Sequence, residues 1–139
     1  PGTNYHKNPD EKSAIRLLHR AVDMGINLFD THRDYGDSEE IIGKALAEMT
    51  DRPHIASKVT IPPDPEYSGP FPPPLDRSMG PKQLRRAILG SIEASLKALR
   101  VETIDLMQIH NTTLERLQRE EVLLGLEDAR TARPCSSRS

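Results

Sequence analysis

A regular alternation of helix-period segments with short apolar runs constrains this chain more than any other feature. Ala14, Leu17, Leu18, Ala21 and Val22 share one helical face. Asn8, Pro9 and Glu11 supply a cap, a proline for the first helical position and a carboxylate three residues after the cap. Gly25 ends the segment, and residues 26–30 read as a strand. A second helix follows Asp37 and Ser38, with Ile41, Ile42, Ala45, Leu46 and Met49 on one side. Residues 54–59 form the next strand. Leu84, Ile88, Ile92, Leu96 and Leu99 mark a third helix opened by Gly80 and Pro81, and residues 103–110 form a third strand. Thr112 and Glu115 can box a fourth helix that carries Leu114, Leu117 and Leu124. Strands alternating with helices predict an α/β fold of parallel β/α units. Two architectures compete, the doubly wound sheet and the (β/α)8 barrel. The sequence contains neither Gly-x-Gly-x-x-Gly nor a P-loop motif, which weakens the nucleotide-binding doubly wound alternative.

Composition narrows the function classes. A chain of 139 residues suits one domain. A net charge of −2 argues against a sequence-blind nucleic-acid binder, which needs a basic patch. No apolar run approaches the roughly 18 residues of a membrane span, so no membrane partner is expected. Residues 1–11 are polar, with no signal peptide visible. The single cysteine, Cys135, excludes an intramolecular disulfide, and a reducing, cytoplasmic location is expected. Two stretches break the rhythm. Residues 61–80 hold seven of the 12 prolines together with Tyr67 and Phe71 and read as a long loop, expected over the strand ends at a substrate entrance. Residues 133–139 have no period and almost no apolar content.

The chemistry gathers where the parallel strands should end. Asp30 closes the first strand, Tyr35 follows five residues later, Lys58 closes the second strand and His110 the third. Parallel β/α folds bring all strand C-termini to one face, so these four side chains can converge. A tyrosine phenol, with an ordinary pKa of about 10, is a weak acid at neutral pH. A nearby ammonium favours its phenolate, a carboxylate can hold that ammonium, and an imidazole can orient a carbonyl oxygen. Such a set suits protonation of a carbonyl as hydride reaches its carbon. Taken singly, each residue has a plainer role: Asp30 in a turn, Tyr35 packed over Gly36, Lys58 as an exposed lysine, His110 in a core. His6, His19, His32 and His54 show no ligand spacing, so no metal is expected. His32 and Arg33 flank the site and are candidates for substrate contact. Glu39 and Glu40 read as negative charge at a helix N-terminus. Asp105 reads as a strand residue that caps or pairs beneath the site.

Several segments resemble the aldo-keto reductases: Gly25-Ile26-Asn27-Leu28-Phe29-Asp30-Thr31, Asp34-Tyr35-Gly36-Asp37-Ser38-Glu39-Glu40, Ile42-Gly43-Lys44-Ala45-Leu46, Ile55-Ala56-Ser57-Lys58-Val59, Ser95-Leu96-Lys97-Ala98-Leu99 and Ile104-Asp105-Leu106-Met107-Gln108-Ile109-His110. They occur in the family's order between about residue 11 and residue 132. The resemblance implies a (β/α)8 TIM barrel that reduces aldehydes and ketones with NADPH. It implies Tyr35 as general acid, Lys58 and Asp30 as its tuning pair, His110 as the group that orients a small carbonyl substrate, and Asp30 also as a contact to the nicotinamide ribose. A barrel needs roughly 250 residues and eight strands. The three strands correspond, by resemblance, to the second to fourth. Residues 1–132 are therefore expected to be a partial reductase domain that carries the catalytic tetrad, and 133–139 an anomalous tail of the kind a frameshift or misjoined gene end produces. The alternative is an inactive fragment or a regulatory, interaction-type subunit of the same fold. Open sheet edges predict self-association of the fragment.

Overall fold

The computed structural model of the chain describes residues 10–62, 68–69 and 79–131. The described elements run α1 (Glu11–Asp23), β1 (Leu28–Asp30), α2 (Ser38–Leu46), β2 (His54–Thr60), α3 (Pro81–Leu99), β3 (Leu106–His110), α4 (Leu114–Leu117) and α5 (Glu120–Thr131). The three strands form one parallel sheet in the order β1-β2-β3. Sequential order without a reversal is the pattern of a barrel wall rather than of a doubly wound sheet.

Register decides which side chains share a face. Phe29 pairs with Ile55, Ser57 with Met107 and Val59 with Ile109. Successive strand residues point to opposite faces. One face therefore presents Phe29 and Ile55 to Leu18, Ala21 and Val22 of α1, to Ile42 and Leu46 of α2 and to Leu99 of α3. Farther along, Val59, Met107 and Ile109 pack with Leu84, Ile88 and Ile92 of α3 and Val122 of α5. The other face carries Leu28, Asp30, Lys58, Thr60, Leu106, Gln108 and His110 by the same alternation. Leu28 and Leu106 are about half exposed there, at 50 and 49 %.

The structure moves several expected boundaries. The cap expected at Asn8 lies outside the described residues. The N-cap of α1 is Asp10, whose carboxylate accepts from the Ser13 amide and hydroxyl at 3.0 and 2.7 Å. Leu17, expected on the apolar face, is exposed, and Leu18, Ala21 and Val22 make the covered stripe. β1 begins at Leu28 rather than at residue 26, because the Ile26 amide returns to the Ala21 carbonyl and stays tied to the end of α1. Lys58 does not close β2, which continues to Thr60. β3 begins at Leu106 rather than at residue 103. The Asp105 carboxylate accepts the Ile55 amide at 2.8 Å, so a side chain stands where a longer ladder would place a backbone carbonyl. The expected fourth helix is two, α4 and α5. Thr113, not Thr112, caps α4 by accepting the Arg116 amide. The turn between them lets Val122 and Gly125 of α5 bury against α3. Tyr67, Phe71 and residues 133–139 lie outside the described residues.

Gly43 sets how closely α2 approaches the end of α3. A Cβ there would meet the Ala98 carbonyl oxygen and lie 2.8 Å from the Leu99 carbonyl carbon. Alanine would gain about 1 kcal/mol of helix propensity over glycine. Overpacking against rigid backbone costs about 1–3 kcal/mol or more, and two helices must separate to relieve it. Because the clash is with backbone, the cost is expected at the upper end of that range, and Gly43→Ala to lower stability by a net of about 1–2 kcal/mol. An unchanged or higher urea midpoint would refute the close approach.

Asp105 pins the entry of β2. Besides the Ile55 amide it binds Arg52 at 2.9 Å and His54 at 3.4 Å. Desolvation pushes its carboxyl upward, but the Ile55 amide, His54 and Arg52 together hold it below its ordinary 3.8. A depressed acid stabilises the fold above its unfolded pKa and loses that contribution as pH falls through the folded value. Asp105→Asn is expected to flatten the acid limb of the stability curve below about pH 4, measured by denaturation at fixed pH steps. An acid limb identical to that of the unaltered chain would remove Asp105 from this role.

Candidate active site

The four residues singled out at the strand ends lie together on the face that the described helices leave open. Asp30 is the last residue of β1 and registers with Ala56, so Lys58, two residues on, is its diagonal neighbour on the same face. The long lysine stem spans that offset. Its Nζ donates to Asp30 Oδ1 at 2.7 Å, to Asp30 Oδ2 at 2.6 Å and to the Thr31 carbonyl at 3.1 Å. The lysine side chain is 15 % exposed and the aspartate 55 %. The pair thus forms at the rim, where its carboxylate still meets solvent.

Tyr35 reaches the pair from the loop between β1 and α2. Its amide bonds the His32 carbonyl, and the Ser38 amide bonds its own carbonyl. Gly36 takes the turn at φ +58°, a left-handed conformation that glycine adopts without strain. Thr31 and Ser38 hydroxyls, 2.9 Å apart, close the loop across its base. Lys58 Nζ sits 5.4 Å from the centre of the Tyr35 ring. The His110 ring lies 6.1 Å from that of Tyr35, edge to face. Asn111, at φ 48°, turns the chain out of β3 and places its Nδ2 2.9 Å from His110 Nε2.

His32, expected beside substrate, is instead buried at 1 % exposure. Its ring centre lies 4.0 Å from that of His110 and 5.3 Å from that of Tyr35. Nδ1 accepts the Asp34 amide at 3.3 Å. A neutral imidazole then carries its proton on Nε2, which donates to Thr60 Oγ1 at 3.0 Å. Burial foremost, then His110 and Lys58, hold the imidazole below its ordinary 6.5 against the opposing pull of Asp34 and Glu39. His32, Asp34 and His110 bring donor atoms within 4.8 Å of one another, a grouping a metal ion could use. Both His32 nitrogens are, however, already committed to hydrogen bonds.

Glu39 stands in the first turn of α2, as expected, but is also drawn into the interior. It is 1 % exposed and accepts the Ser57 hydroxyl at 2.8 Å, and Arg33 lies 3.5 Å from it and 3.4 Å from Glu40. The sequence carried a signal for this. Glu39 stands three residues before Ile42 and seven before Leu46, on the stripe that packs against the sheet. Thr60, Thr31 and Ser57 carried no such signal, since their parts come from neighbours distant in sequence. Arg33, a candidate for substrate contact, is ion-paired with these two glutamates.

A model of the Aldo/keto reductase family matches residues 2–132. Aldo-keto reductase YhdN of Bacillus subtilis is 36 % identical over 105 residues, which cover 73 % of this chain and 28 % of that protein. A solved Pseudomonas aeruginosa structure assigned to the aldo-keto reductases is 32 % identical, with a TM-score of 0.63 over 91 % of this chain and 45 % of that one. The holo form of aldo-keto reductase AKR11C1 from Bacillus halodurans is 25 % identical, with a TM-score of 0.59 over 86 and 35 %. The chain spans between 28 and 37 % of the length of the curated relatives it matches first. Its three parallel strands and their helices are part of a (β/α)8 barrel wall. The chain belongs to the aldo/keto reductase family of oxidoreductases.

Proposed function

We propose that this face reduces a small aldehyde or ketone to an alcohol with NADPH as reductant. The convergence of Tyr35, His110 and the Asp30-held Lys58 at the strand ends, on the face the described helices leave open, carries this reading. NADPH, when bound, supplies hydride to the carbonyl carbon. The Tyr35 hydroxyl gives its proton to the carbonyl oxygen. The Lys58 ammonium, fixed by both oxygens of Asp30, stabilises the phenolate left behind. A ring N–H of His110 orients the oxygen. The half-exposed Asp30 carboxylate fits a ribose hydroxyl, an acceptor for a donor. Of the cations beside it, Lys58 is bound to Asp30 and Arg33 bridges Glu39 and Glu40. We read residues 1–132 as one partial reductase domain with 133–139 outside it. Its working compartment is the reducing cytoplasm, which the single cysteine favours.

Half-exposed Leu28 and Leu106 on the site face favour a second reading, a non-catalytic chain that pairs through this face. The 139-residue chain by itself is expected to be silent in NADPH fluorescence titration and to grow in size with concentration in sedimentation. Micromolar NADPH affinity in a monomer would refute that expectation.

Catalysis is tested in a chimera in which residues 10–131 replace the equivalent part of a full-length aldo-keto reductase. There Tyr35→Phe is expected to cut carbonyl reduction about 10²–10⁴-fold with NADPH affinity nearly unchanged, and Lys58→Met to act in the same direction. Retention of more than about a tenth of the rate by Tyr35→Phe would take Tyr35 out of the mechanism.

A further inference from the structure

We propose that His32 is a positioning residue: clamped between the Asp34 amide and the Thr60 hydroxyl, its ring is the seat on which His110 and Tyr35 are aligned, and its protonation releases them. The proposal rests on the carbonyl-reductase reading for its purpose, but on geometry for its substance.

Three observations converge. His32 is the best-anchored of the three rings, with both nitrogens in hydrogen bonds and almost no exposed surface. It is also the ring that touches both others, at 4.0 Å from His110 and 5.3 Å from Tyr35, while these are 6.1 Å apart and Tyr35 is half exposed. Finally, the clamp ties three chain segments together. Thr60 ends β2 and registers with His110 at the end of β3, while Asp34 and His32 belong to the loop that carries Tyr35. Thr60 Oγ1 lies 3.5 Å from Asp34 Oδ2, which closes the ring of contacts. A phenol on a loop and an imidazole at a strand end have no backbone ladder between them. His32 supplies the missing link.

Protonation breaks the Nδ1 half of the clamp: Nε2 still donates to Thr60, but an Nδ1–H faces the Asp34 carboxylate oxygen, 3.7 Å away, and repels the amide. Nδ1 accepts an amide proton, which it cannot do once it carries its own. The groups that face His32 are His110 from β3, Lys58 from β2, Glu39 from α2, and Asp34 and Tyr35 from its own loop. Burial, His110 and Lys58 disfavour the imidazolium, and Asp34 and Glu39 favour it. The balance lies on the neutral side. The clamp is therefore complete above the ordinary histidine value of 6.5 and opens as pH falls through the lowered one.

Imidazole NMR on the 139-residue chain tests this without any turnover. Long-range 1H–15N spectra are expected to show His32 as the Nε2–H tautomer, with a titration midpoint below 6.5. Cross-relaxation between the Tyr35 and His110 rings should fade with that same midpoint. In His32→Phe, which keeps an aromatic ring in place but loses both hydrogen bonds, that cross-relaxation should be weak at every pH while signals between Phe29 and Ile55 persist. An Nδ1–H tautomer, a midpoint at or above 6.5, or Tyr35–His110 contacts that survive His32 protonation would overturn the proposal. If His32→Phe fails to fold, the titration of the unaltered chain decides alone. A clamped His32 in a chain whose chimera reduces nothing would refute the reductase reading and leave the clamp standing. A reducing chimera with an unclamped His32 would do the reverse.

Discussion

The parallel register of β1, β2 and β3 is the constraint on which everything else here depends. Side chains alternate with a period of two, so a slip of one residue would move Lys58 to the helix-covered face and Val59 to the open one. Two devices hold the register. Apolar residues at Phe29, Ile55, Val59 and Ile109 must face the helices. At the opposite end of the sheet from the site, Asp105 binds the Ile55 amide and so fixes where β3 may begin beside β2. The geometry of Asp30, Lys58 and His110 is thus decided partly by a carboxylate at the far end of the strands.

Around the strand ends, charge and polarity are graded by depth. The Lys58–Asp30 pair sits at the rim, its aspartate half in water, and so avoids most of the desolvation that makes buried pairs costly. Beneath it lie fully buried polar groups, each with a partner: Glu39 with Ser57, His32 with Thr60 and the Asp34 amide. Glu39 and Ser57 link the first turn of α2 to the helix-side face of β2. His32 and Thr60 link the loop to the end of the same strand. Residues 57 to 60 are therefore held on both faces by polar contacts as well as by apolar packing. Buried groups of this kind cost about 1–3 kcal/mol when one partner is lost. They make the surroundings of Lys58 and His110 rigid where the residues themselves are partly exposed.

Much of this was legible in the sequence. Helix periods placed α1, α2 and α3, and β-rich runs placed three strands, because local propensity and burial pattern agree there. The residues at the strand ends stood out because titratable side chains recurred at equivalent points of successive units. What escaped were features set by partners far away in the chain. Thr60 looks like any strand threonine until His32 is folded beside it, 28 residues away in sequence. The start of β3 reads as residue 103 until the Asp105 carboxylate takes a ladder donor from β2.

The order of elements, the parallel α/β class, the kinship with the aldo/keto reductases and the candidacy of Asp30, Tyr35, Lys58 and His110 as site residues were readable from the residues alone, since each is written in contiguous residues or in a repeated local period. Folding alone set that Lys58 Nζ bonds both oxygens of Asp30, that Glu39 in the first turn of α2 is also a buried partner of Ser57, and that His32 is buried beside His110 and Tyr35. The physical reason is that hydrogen bonds and burial depend on distances between segments 18 to 28 residues apart in the chain, and these distances are set by sheet register and helix packing.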